Sequence, residues 1–287
     1  MKISPICFGC EPLGGTDWGE IDLDAIEKAI NIALELGLNF FDTAGVYGLG
    51  LSEKRLSKIL GSRRHDVVIA TKGGLSWKNS NSGREIVTKD SSPLSIRADV
   101  ESSLKRLRLD ILPIFYVHWP DRNTNIEDTF NELSTLKNEG KINSIGCSNF
   151  SATQLSQACR VADIEYLQIP MNILDGPIDK RISDICSKNS INITAYNVLL
   201  HGLLTGKFDI NSNFPRSDRR SRLPIFKGAN FKDSIKKIEN LKLKASKTNK
   251  SLSHFAVNWV LKQKNVTSAV IGIKNPEQMI DNWSVIS

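Results

Sequence analysis

Eight times along this chain an apolar, β-branched run of strand length gives way to a segment of helical period. The strand runs are Ile3–Gly9, Leu38–Asp42, Val67–Lys72, Ile111–His118, Ile142–Cys147, Tyr166–Pro170, Ile193–Tyr196 and Ser268–Gly272. Amphipathic segments follow at about Asp24–Leu36, Ser52–Leu60, Leu94–Leu107, Ile126–Glu139, Ala152–Val161 and Ile178–Lys188. A longer helical region covers about Lys232–Lys264, and Pro276–Trp283 forms the last helix. Strands this apolar belong in a parallel sheet covered by helices. Eight βα units in 287 residues predict a closed (β/α)8 TIM barrel, a single α/β domain over residues 1–287. The rival, an open doubly wound sheet, would place a Gly-x-Gly-x-x-Gly turn after the first strand. Gly9, Gly14 and Gly15 lack that spacing.

With 40% hydrophobic and 24% charged residues the chain has ample material for one core. No apolar run approaches the ~20 residues of a membrane span. The opening Met-Lys-Ile-Ser-Pro has neither the basic segment nor the apolar stretch of a secretory signal, so a cytoplasmic location is expected. Five cysteines, an odd number, argue against a disulfide framework. Cys7 and Cys10 have redox-pair spacing, but no helix is expected directly after them, and buried strand thiols are the better reading. The formal charge of +7 gathers in Lys232–Lys250 and around Arg216, Arg219, Arg220 and Arg222, with no nucleic-acid motif beside either. Neither nucleic acid nor a membrane is expected as a partner, and a phosphate-bearing small molecule is reason enough for part of the charge.

A barrel of this kind carries its site at the carboxyl ends of its strands. Those ends read Asp42, Lys72, His118, Cys147-Ser148-Asn149, Gln168, Tyr196-Asn197 and Gly272-Ile273-Lys274, a polar set after mostly apolar residues. Asp42 and Lys72 end neighbouring strands, and a buried lysine needs such a partner. A rim salt bridge without chemistry satisfies the same pair. Tyr47, in the loop after Asp42, adds a phenol whose pKa near ~10 a neighbouring ammonium would lower. His118 could orient a carbonyl or share the proton, or serve the structure alone.

The chain resembles the aldo-keto reductase superfamily over nearly its whole length. The resemblance rests on Phe41-Asp42-Thr43-Ala44 with Tyr47-Gly48, Ala70-Thr71-Lys72-Gly73-Gly74, Val117-His118-Trp119-Pro120-Asp121, Gly140-Lys141-Ile142, Ile145-Gly146-Cys147-Ser148-Asn149-Phe150-Ser151 and Gly202-Leu203-Leu204-Thr205-Gly206-Lys207. It implies reduction of a small-molecule aldehyde or ketone by hydride from a nicotinamide cofactor. Tyr47 would be the general acid, Lys72 would depress its pKa, Asp42 would hold Lys72, and His118 would position the carbonyl. Ser148, Asn149 and Gln168 fall where the family binds the nicotinamide carboxamide, and Tyr196 where the ring stacks. The cofactor groove would continue over Asn197, Leu199, Gly202, Leu203, Lys207, Gly272, Lys274, Gln278 and Asn282, with no metal.

Asn275 and Pro276 suit the N-cap and first position of a helix, whose free amides would face Lys274. In the family this segment holds the adenosine 2′-phosphate, which points to NADP(H) ahead of NAD(H). Several residues depart from the family pattern: Met171 before Asn172, Asn197-Val198 in place of Ser-Pro, and Ile271-Gly272-Ile273-Lys274 in place of Pro-Gly-Ala-Arg. The sequence also stops soon after the last helix begins, so an open pocket, or one completed by a partner chain, is expected. Trp18, Trp77 and Trp119 fall beside the mouth and could line a substrate pocket or pack under its loops. The polar loop Leu75–Ser92 and the basic loop Asn211–Lys227 suit a polar or phosphorylated carbonyl compound. A regulatory member, using the cofactor-loaded barrel for interaction with little turnover, is the alternative. A Schiff-base lyase built on Lys72 is disfavoured, because Asp42 would keep that amine charged.

Overall fold

The computed structural model describes residues 2–16, 18, 20–78 and 86–286. Eight parallel strands close a barrel: β1 (Ile6–Gly9), β2 (Phe40–Asp42), β3 (Val68–Gly73), β6 (Leu112–Val117), β7 (Ile142–Ser148), β8 (Ile164–Pro170), β9 (Asn192–Tyr196) and β10 (Val266–Gly272). They pair in that circular order, and β10 closes on β1 with Ile6 opposite Ala269 and Gly9 opposite Gly272. The helices of the outer ring are α1 (Leu23–Glu35), α2 (Leu51–Leu60), α3 (Pro93–Leu107), α4 (Ile126–Asn138), α5 (Ala152–Ala158), α6 (Lys180–Lys188), α7 (Gly228–Ser246), α8 (Leu252–Leu261) and α9 (Pro276–Trp283). Capping side chains fix where many of them start: Asp22 accepts from Ala25 N at 3.0 Å, and Ser151 and Gln154 form a reciprocal capping box.

Residues two apart on a strand share a face, and the barrel uses this to separate two apolar layers. Phe8, Phe41, Ile69 and Phe115 join the helices in the main core. Cys7, Phe40, Val68, Ala70, Ile114 and Tyr116 form a separate cluster, with Tyr166 and Val270 beside it. Continuing that second register upward leads from Phe40 to Asp42, from Ala70 to Lys72, from Tyr116 to His118 and from Tyr166 to Gln168. One alternation thus carries all four polar residues to one end of the barrel. Gly146 has no side chain for a steric reason: a Cβ there would sit 2.4 Å from Cδ1 of Tyr116.

Two expectations about elements are corrected. The helical region over Lys232–Lys264 is two helices, α7 and α8, because Asn249 turns left-handed (φ 52°) and Ser251 caps α8 by accepting from His254 N at 3.2 Å. The loop expected over Leu75–Ser92 contains an antiparallel hairpin, β4 (Leu75–Lys78) with β5 (Ile86–Lys89); residues 79–85 lie outside the described ones. Cys7 and Cys10 are buried free thiols, and burial pushes both well above the usual thiol range. Among the described residues no helix is long and apolar enough to cross a membrane.

Candidate active site

At the floor of the site Lys72 Nζ donates to Asp42 Oδ2 at 2.7 Å and to the Thr43 carbonyl at 2.8 Å. Gln168 Nε2 donates to the other carboxylate oxygen of Asp42 at 2.8 Å. Both charges are buried, so only this mutual satisfaction makes the pair tolerable. Tyr47 lies above it, with the ammonium 5.0 Å from its ring centroid. The His118 ring meets the Tyr47 ring edge to face, centroids 5.9 Å apart.

The loop carrying Tyr47 is held tightly. Ser52 Oγ bonds the Cys10 carbonyl at 2.7 Å and lies 2.8 Å from Thr43 Oγ1. Gly48 has φ +58°, and a Cβ there would sit 2.1 Å from the Gly14 carbonyl oxygen, so two loop backbones touch where only glycine fits. Burial, followed by the carboxylates of Glu11 and Asp42, pushes the Tyr47 phenol well above its usual range, while Arg219 opposes them. Burial and these carboxylates outweigh the depression expected from Lys72. Burial, with Lys72 adding to it, holds the His118 imidazole well below its usual value and therefore neutral.

A cavity of about 1410 Å³ opens from this floor along the strand ends. Asn149, left-handed at φ 64°, donates to the His118 carbonyl and to Ser148 Oγ, both at 3.0 Å, and accepts from Tyr196 OH at 2.7 Å. The cavity wall also includes Gln168, Asn197, Leu199, Gly202, Lys207, Arg220, Gly272, Lys274, Gln278 and Asn282. Burial first, then Arg220, lowers the pKa of both Lys207 and Lys274, and Arg220 is itself ion-paired with Asp218. Trp18 spans the groove: it pairs with Asp218 as an isolated bridge, and its carbonyl accepts from Lys274 Nζ at 2.9 Å. His118 Nδ1, Asn197 Oδ1, Asn282 Oδ1 and Trp18 Nε1 are buried without a hydrogen-bond partner among the described residues.

The sequence model of the Aldo/keto reductase family matches residues 5–287. This chain belongs to that family. It is 34% identical to aldo-keto reductase YhdN of Bacillus subtilis over 100% of its own length and 88% of that relative's. It is 31% identical to the NADH-specific methylglyoxal reductase of Escherichia coli, covering 96% of this chain and 86% of the other. Among solved structures a glycerol dehydrogenase from Gluconobacter oxydans superposes with a TM-score of 0.90 at 36% identity, covering 99% of this chain and 87% of that one.

In this aldo/keto reductase the wall of one cavity brings together most of the residues singled out from the sequence, Trp18 and Trp119 included. Lys72 is beneath the wall rather than in it, reached through Tyr47. Two residues fall elsewhere. Leu203 is fully buried in a second core with Leu200, Leu204 and Phe226, because its turn points it away from the groove. Trp77 packs against the Tyr47 loop, where a Cβ on Gly45 would lie 3.9 Å from its ring. The amides at the start of α9 are partly used: Gln278 N donates to Asn275 Oδ1, and Lys274 N to Gln278 Oε1, both at 2.9 Å.

Sequence reasoning missed the supports. Glu53 is buried, accepts from Thr71 Oγ1 at 2.6 Å and pairs with Arg106, bracing the helix that follows the Tyr47 loop. Arg219 pairs with Glu11 across the groove at 2.7 Å. His201 lines the cavity at φ 53°, its pKa lowered to about 4 by burial, then by Arg219 and Arg220. A glutamate on the apolar side of α2 was the one local hint.

Proposed function

We propose that this protein reduces an aldehyde or ketone to the alcohol with NADPH as hydride donor. The observation that carries the reading is the Asp42–Lys72 pair beneath Tyr47 and His118, at the floor of a groove with unsatisfied polar atoms and a cation cluster along it. The residues suit the cofactor. Asn197 and Asn282 each have a buried oxygen free to accept from it, and Lys207, Arg220 and Lys274 match phosphate charge. Ser148, Asn149, Gln168 and Tyr196 would hold the nicotinamide end.

When bound, the reduced nicotinamide supplies hydride to the carbonyl carbon. Tyr47 holds the proton that the developing alkoxide takes. Its raised pKa keeps that proton in place across the neutral range, and an alkoxide is basic enough to remove it. The Lys72 ammonium beneath the ring stabilises the phenolate left behind, and Asp42 keeps the ammonium placed. His118, held neutral, orients the carbonyl oxygen by a hydrogen bond without contributing a competing charge.

The test is to follow cofactor oxidation with NADPH and NADH against a panel of aldehydes and ketones. Methylglyoxal belongs in that panel because the Escherichia coli relative's name carries it. Tyr47→Phe should keep cofactor affinity and lose turnover by about 10²–10⁴-fold, the usual contribution of a positioned acid. Undiminished turnover would remove Tyr47 from the acid role. Cofactor binding without oxidation by any carbonyl would favour an interaction role for the barrel.

A further inference from the structure

The β4–β5 hairpin places a cation at the mouth of the cavity. Leu75 pairs with Lys89 and Trp77 with Val87, so Val87 and Lys89, two apart on β5, share one face of the hairpin. Val87 and Leu75 line the cavity, together with Trp119, the residue after His118. Lys89 Nζ lies 4.8 Å from the Trp119 ring centroid.

Among the described residues Lys89 has no carboxylate within ion-pair distance. Among the described residues the acids Asp90 and Asp121 have other donors: Asp90 accepts from Ser92 N, and Asp121 from Asn123 N and Thr124 Oγ1. The cofactor would not account for it either, since Lys207, Arg220 and Lys274 would take its phosphates. An unpaired ammonium resting on an aromatic face, one residue along from the carbonyl-positioning histidine, is arranged to meet a negative charge on the substrate itself.

We infer that Lys89, supported on Trp119, recognises carbonyl substrates that carry an anionic group, a carboxylate or a phosphate, at the end away from the reacting carbon. The inference rests on the reductase reading above and names its substrate class. Lys89 touches no reacting atom in this scheme. It positions the substrate by remote charge, so its removal should appear in KM rather than kcat.

Two matched pairs test this with NADPH: 4-oxobutanoate against its methyl ester, and glyceraldehyde 3-phosphate against glyceraldehyde. The protein should prefer the anionic member of at least one pair, and rising salt should erode the preference through KM. Lys89→Met should lower that preference about 1.4- to five-fold, the range of an exposed ion pair, and Lys89→Glu should lower it further. Which pair responds distinguishes carboxylate from phosphate. Equal treatment of both members of both pairs, or an anionic preference intact in Lys89→Glu, overturns the inference while leaving the reductase reading standing. If no aldehyde is turned over, the reductase reading fails, and calorimetric titration with 4-hydroxybutanoate decides the anion site. Weaker binding in Lys89→Glu supports it, and equal binding overturns it.

Discussion

Removing one half of the Asp42–Lys72 pair should damage this protein more than replacing both. Lys72→Met leaves the Asp42 carboxylate buried with Gln168 as its side-chain donor, and Asp42→Asn leaves the ammonium without a counter-charge. Uncompensated charges of this kind cost about 3–5 kcal/mol, read as a loss in urea unfolding free energy. The double variant Asp42→Asn/Lys72→Met should recover most of that loss and none of the turnover. Equal destabilisation in single and double variants would mean the pair is not coupled as described. These residues were legible because each ends an apolar strand, where a charge cannot be an accident of surface. Glu11–Arg219 and Glu53–Arg106 were not, since nothing local announces which distant residue a charge will meet. The direction of the Tyr47 shift was illegible for a related reason: it depends on burial and on Glu11, a carboxylate far from the loop in sequence, as well as on Asp42.

Helix α3 locks the junction between the strand carrying Lys72 and the hairpin at the mouth. Asp99 Oδ2 accepts from Gly74 N at 2.7 Å, and a Cβ on Gly73 would lie 2.7 Å from the same oxygen. Burial raises the Asp99 carboxyl from 3.8 to about 6, although the Gly74 amide and Arg106 favour its charged form. Because the folded value lies above the unfolded one, the native state binds the proton more tightly between those two pH values. Stability from this group is therefore full below about pH 4 and falls as pH rises through about 6, by roughly 3 kcal/mol at most. Asp99→Asn keeps an acceptor for the amide and removes the titration, so its unfolding free energy should change less between pH 4 and pH 8 than the parent's. Parallel pH curves for the two proteins would sink this account. Strand and helix order was readable from periodicity alone, but the hairpin was not, because four-residue strands in a polar stretch carry too little pattern. The break between α7 and α8 lacks both glycine and proline, and its Thr248-Asn249-Lys250-Ser251 turn reads as helix surface until Asn249 is seen at positive φ.

Across the whole molecule, the groove is roofed by contacts between the start and the last third of the chain. Trp18 bridges Asp218, Arg219 reaches Glu11, and Lys274 reaches Trp18. The barrel beneath was legible because eight alternations admit few closed solutions, whereas this roof depends on pairings that appear only once the barrel has brought both segments to one rim. The cations of the roof and groove bear on which cofactor is held. Burial first, then Arg220, lowers the pKa values of Lys207 and Lys274, and although Asp218 pairs with Arg220, an anion of more than one charge would favour the charged form of both lysines. NADPH offers one phosphate more than NADH, so it should stabilise the fold more at equal concentration. A ligand at 100 times its Kd adds about 2.7 kcal/mol, and one bound tenfold more weakly about 1.4 kcal/mol. In a chain of this size that gap is roughly 2 °C in Tm, within reach of a thermal melt. Arg220→Met and Lys274→Met should pull the NADPH shift down toward that of NADH. An NADH shift equal to or larger than that of NADPH would instead place this chain with a relative whose name says NADH-specific, and would leave the cation cluster to the pyrophosphate alone.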